Sequence, residues 1–124
     1  MVLAGCFFVP QFTEAANRYW VGSAGGNTND TANWAAADPA SCTGGGSSVP
    51  GTADIAIFDP DCDNGTSINA NWSVAGIDIQ TGYIGTISQS AGVNITIGSS
   101  NFTMADGTLN LGNASVTAQS IGSW

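Results

Sequence analysis

Residues 93–118 read VNITIGSSNFTMADGTLNLGNASVTA. Within them Val93, Ile95 and Ile97 alternate with polar residues, and so do Phe102 with Met104, Leu109 with Leu111, and Val116 with Ala118. Alternation at period two marks a strand with one buried face. Phe102, Leu109 and Val116 lie seven apart, a spacing that also suits a coiled coil. The Asp106-Gly107 and Gly112-Asn113 pairs, the β-branched residues and the absence of Glu and Lys exclude a long helix here. The stretch therefore reads as very short strands joined by tight corners, as in one coil of a β-solenoid.

Working outward, Ile68, Ala70, Trp72 and Val74 alternate in the same way, Gly76 interrupts, and Ile77-Asp78-Ile79 follows. Thr81-Gly82-Tyr83 turns into a strand at Ile84-Gly85-Thr86-Ile87. A coil of about 20 residues would give two to three coils between residues 67 and 121. The expected fold is all-β: a short parallel β-solenoid with an N-terminal cap, with an antiparallel β-sandwich as the alternative. Upstream, Ala53 to Phe58 reads as a strand with Ile55 and Ile57 inward. Ala35 to Gly51 is a loop built around Gly44-Gly45-Gly46-Ser47-Ser48. Trp20 and Trp34 are placed at one end of the core.

The composition limits the function. The chain has 124 residues, one domain's worth, and a net charge of −8 with Arg18 its only cation. So acidic a chain has no basic footprint for nucleic acid or for an anionic membrane surface. Without Lys or His no Ser or Thr has a base to activate it, so an enzyme is not expected. Gly, Ser, Thr and Asn supply 53 of the residues, a balance that fits a secreted β protein.

The three cysteines divide. Cys42 and Cys62 flank the Gly-rich loop and are expected to pair in an oxidising compartment, with Cys6 left over. Asp59, Asp61 and Asp63 alternate like the start of a calcium loop. Asn64 then stands where the turn glycine belongs and Ala70 where the bidentate Glu belongs. They are the candidate ligands for a looser calcium site, against the plainer reading of a solvated acidic turn. Calcium is the one cofactor this pattern suggests. Trp72 and Tyr83 are the candidates for stacking on sugar rings, although Trp72 shares a face with Ile68, which suggests burial. Six Asn-x-Ser/Thr triplets occur, at Asn29, Asn64, Asn71, Asn94, Asn101 and Asn113.

Residues 1–16 read in two ways. Val2 to Val9 resembles the tail of a secretory signal, and Leu3-Ala4-Gly5-Cys6 spells a lipobox, without the usual basic start. Alternatively the segment is retained as a strand through Phe7, Phe8 and Phe12. It is too short to span a membrane. Residues 17–124 form the domain proper.

Taken together, Arg18-Tyr19-Trp20-Val21-Gly22, Asn29 to Trp34, Val49 to Asp59 and the repetitive 67–118 resemble the N-terminal segment of secreted bacterial β-solenoid surface proteins, adhesin-like or autotransporter-like. The resemblance implies an extracellular, cell-surface location and a structural or adhesive role. Gln119 to Trp124 carries no charge and no Pro, so that end reads as uncapped, to be continued by more chain or covered by another subunit. The leading expectation is a self-assembling subunit of a filament or surface fibre. Copies would join head-to-tail through solenoid ends or by exchange of the N-terminal strand, with Phe7, Phe8, Phe12, Ile121 and Trp124 at the interface. The alternatives are the N-terminal module of a longer adhesin and a carbohydrate-binding module for surface glycans.

Overall fold

A computed structural model describes residues 15–112 and the backbone of 116–118. The expected interface residues Phe7, Phe8, Phe12, Ile121 and Trp124, and Cys6, lie outside the described residues.

The fold is all-β, with strands gathered into three small sheets. The elements run β1 (Ala16–Trp20), β2 (Gly26–Asn27), a 3-10 turn (Thr31–Asn33), β3 (Trp34–Ala35), β4 (Asp54–Phe58) and a second 3-10 turn (Pro60–Cys62). There follow β5 (Thr66–Ile68), β6 (Trp72–Val74), β7 (Gly76–Ile79), β8 (Thr86–Gln89), β9 (Ile95–Ile97), β10 (Phe102–Met104), β11 (Thr108–Asn110) and β12 (Val116–Ala118). The first sheet has the order β10-β7-β4-β1-β3, the second β11-β8-β5-β2 and the third β12-β9-β6. From β4 onward each sheet takes every third strand. Among the described residues, only the β1–β3 pair is antiparallel; every other pairing is parallel. Ala56 faces Ile77, Thr66 faces Ile87 and Ile95 faces Val116, each 21 positions on. The seven-residue spacing of Phe102, Leu109 and Val116 is therefore one residue per sheet around a single circuit.

Two strand assignments shift. The alternation from Ile68 to Val74 is not one strand. Ile68 ends β5 and Trp72 opens β6 in another sheet, with exposed Asn69 and Asn71 at the corner. Ile84 does not open a strand: it is 78% exposed on the loop before β8. The inward face of β4 is also the opposite of the one expected. Ala56 and Phe58, both fully buried, belong to the core cluster, while Ile55 and Ile57 lie on the other face. Phe58 is needed there because it packs between Trp20, Trp34 and Tyr83. A strand that shifts its inward set by one residue turns every side chain over.

The core is a column of inward residues: Ala56, Phe58, Ile68, Trp72 and Val74, then Ile77, Ile79, Ile87, Ile95 and Ile97, then Phe102. Parallel strands lie about 4.8 Å apart, so every corner must stack on its neighbours as closely as the strands do. Gly76 shows the consequence. A Cβ there would come within 2.8 Å of the Ser100 and Asn101 carbonyl oxygens. Gly76→Ala is expected to destabilise the domain by about 1–3 kcal/mol, because backbone cannot move aside as a side chain would. Urea denaturation measures this; an unchanged midpoint would show that the corner has slack.

Candidate functional site

One end of the column is built differently from the rest. Trp20 and Trp34 meet edge to face at 5.4 Å, Phe58 packs on both, and Trp72 lies 5.9 Å from Trp34. Large rings close an end efficiently, but each indole carries a donor that needs a partner when buried. Backbone carbonyls supply all three. Trp20 Nε1 donates to Asn64 at 2.9 Å, Trp34 Nε1 to Thr28 at 2.8 Å, and Trp72 Nε1 to Pro50 at 3.1 Å. The Asn64 carbonyl also accepts from the Tyr83 hydroxyl at 3.1 Å. Burial, with the Asp63 carboxylate nearby, pushes the Tyr83 phenol well above its ordinary range. The sequence singled out Asn64 as a glycosylation triplet and as a departure from the calcium-loop pattern. Its spatial role is to receive Trp20 and Tyr83 while its amide donates to Gly22 at 3.0 Å. No local signal announces a carbonyl acceptor, because it depends on where the chain turns.

The loop after β3 covers this end. Gly46 N–H donates to Thr31, Ser47 N–H donates to Trp34, and fully buried Pro50 accepts from Trp72. Val49 packs on the core. Cys42 and Cys62 are disulfide-bonded, as expected from their placement, and tie the loop to the second 3-10 turn.

The opposite end has no such cover among the described residues. There β10, β11 and β12 are the edge strands of the three sheets. Ile79 and Ile87 in the middle circuit are 1% and 2% exposed, yet Met104 and Leu109, their register partners one circuit on, are only partly buried. Leu111 is 54% exposed.

The acidic and amide side chains at the corners hold one circuit to the next. Asp63 Oδ1 accepts from Ile84 N–H, Asp106 Oδ2 from Gly82 N–H, Asn71 Oδ1 from Asn94 N–H and Gln89 Oε1 from Gly112 N–H. Asp78 accepts from the Thr103 hydroxyl across β7 and β10. Asp59 Oδ1 accepts from Asp61 N–H and so starts the second 3-10 turn. These bonds change the reading of the Asp59, Asp61 and Asp63 alternation. Asp59 and Asp63 serve backbone N–H groups and Asp61 is exposed. Among the described residues no cluster of three or more acidic or Cys side chains is placed to hold a metal ion. Placement counts against the sugar-stacking reading of Trp72 and Tyr83. Tyr83 is fully buried and Trp72 is 6% exposed, so neither ring offers a face to a ligand.

Comparison with protein-family models, with curated proteins and with solved structures finds no match. Among the described residues no helix is long and apolar enough to cross a membrane.

Among the described residues Asp59 is the carboxylate buried with an unpartnered oxygen. It is 3% exposed and its Oδ2 has no hydrogen-bond partner. Burial raises its pKa above the ordinary value, opposed by the Asp61 N–H and reinforced by the Asp38 and Asp61 charges. A carboxyl that holds its proton more tightly when folded stabilises the fold below the ordinary carboxylate pKa. That contribution is lost as pH rises through the raised value. Asp59→Asn keeps an oxygen for Asp61 and removes the charge. It is expected to raise Tm at pH 7, with the gain shrinking towards pH 3–4. Thermal unfolding across that range checks this, and a lower Tm at pH 7 would contradict it.

Proposed function

We propose that this domain is a non-catalytic structural module: a short parallel β-solenoid closed at its N-terminal end, which acts as the base of a longer surface assembly. The contrast between its two ends carries this reading. One end is sealed by Trp20, Trp34, Trp72 and the disulfide-tied loop, whereas at the other, among the described residues, three strand edges lie over half-buried Met104 and Leu109. Solenoids need a cap where they begin and a continuing stack where they do not. Parallel pairing of every third strand supports the solenoid over the antiparallel sandwich, whose strands run against their neighbours.

A secreted, cell-surface setting is the corresponding proposal for location. The Cys42–Cys62 disulfide supports it, since such bonds persist in oxidising compartments. The resemblance of residues 18–22, 29–34 and 49–59 to bacterial adhesin-like proteins points the same way.

The closed end weighs against the head-to-tail filament. Stacking a copy's open edges on the sealed end would require displacing the loop that now serves Trp72. Strand exchange, the other expected route, rests on Phe7, Phe8 and Phe12, outside the described residues. Burial of Trp72 and Tyr83 likewise weighs against glycan binding through those two rings.

Negative-stain electron microscopy of the oxidised chain at high concentration tests the reading. The expected particles are monomers or pairs joined through their open ends. Ordered fibres would overturn the module and reinstate the filament subunit.

A further inference from the structure

We infer that the Cys42–Cys62 disulfide is a redox latch on the closing loop, whose reduction frees residues 36–51 from the aromatic end while the stacked strands stay folded. Three observations carry this. First, the two sulfurs differ in access: Cys42 is exposed and Cys62 is fully buried. Second, the strand pairings from β4 to β9 are made without the loop. Third, residues 36–46 are almost wholly exposed. Besides the disulfide, the loop is seated by Gly46 to Thr31 at 3.0 Å, Ser47 to Trp34 at 2.9 Å, Trp72 Nε1 to Pro50 at 3.1 Å, the Asn64 amide to Cys42 Sγ at 3.2 Å, Gly51 N–H to Asp54 Oδ2 at 2.8 Å, and apolar Val49. Gly44 and Gly46 hold φ of 84° and 109°, backbone conformations that other residues rarely adopt.

The chemistry requires a dithiol reductant. Its thiolate attacks Cys42 Sγ, the accessible sulfur, and the bond to Cys62 breaks. Cys62 leaves as a thiolate and takes up a proton. The reductant's second thiol then displaces Cys42 from the mixed disulfide, and the reductant departs oxidised as a cyclic disulfide. Opening uncovers the edge of β6 and the Trp34–Trp72 pair. The latch does not depend on what assembles at the far end.

Hydrogen exchange read by mass spectrometry on the full chain, with and without dithiothreitol, tests the latch. Thiol alkylation confirms that the bond is reduced. Exchange in the peptides covering Gly46 and Ser47 is expected to speed up about tenfold or more, while β7 to β9 stays protected. Three results would overturn the latch: unchanged protection in those peptides, simultaneous loss of protection throughout the strands, or a disulfide that resists reduction in the folded protein. Cys42→Ser should reproduce the reduced pattern without reductant. If that variant does not fold, reduction of the folded protein decides alone.

Discussion

The fold depends on one constraint: each inward side chain must sit beside its register partner one circuit away. Phe58 stands against Ile79 and Ile79 against Met104, while Thr66 stands against Ile87 and Trp72 against Ile95. The strand spacing of about 4.8 Å admits no misfit that is not repeated in the next circuit. Corners must therefore be thin, which explains Gly76. They must also satisfy their own backbone, which explains Asp63, Asp106, Asn71 and Gln89. An acidic chain with one cation can use carboxylates in this way because their partners are N–H groups rather than charges.

Parallel strands stacked sheet by sheet have no inherent reason to stop, so the ends carry the individuality of the fold. The N-terminal end stops by a change of chemistry, from Ile and Val to rings. Each ring's donor finds a carbonyl, because a buried donor left unpaired costs about 1–3 kcal/mol. The antiparallel β3 and the loop behind it break the parallel pattern on that side. The far end shows none of these devices among the described residues. This asymmetry favours a base over a link in a chain of identical units.

Much of the architecture was legible in the sequence. Period-two alternation and glycine corners placed β9, β10 and β12, and β11 apart from Leu111, which falls outside the strand and is exposed; the two cysteines found each other. What was not legible depends on three dimensions. The inward face of β4 was misread because Ile55 and Ile57 are better core formers than Ala56, and only Phe58's packing decides the matter. The Ile68 to Val74 run hid a corner, since the period-two alternation continues unbroken across the three residues 69–71 that turn the chain. The alternation of Asp59, Asp61 and Asp63 shows three carboxylates without showing which N–H groups they meet. Trp72 and Tyr83 were candidates for a sugar surface until the loop and Asn64 accounted for them.

The central claim is the parallel, every-third-strand register. Nuclear Overhauser contacts across Ser67–Ser88 and Ser73–Thr96 test it most directly, since each pair joins neighbouring circuits in a different sheet. The account predicts amide-to-α-proton contacts in the slanted, evenly spaced pattern of parallel strands. Strong contacts between facing α-protons, the mark of antiparallel pairs, would contradict it.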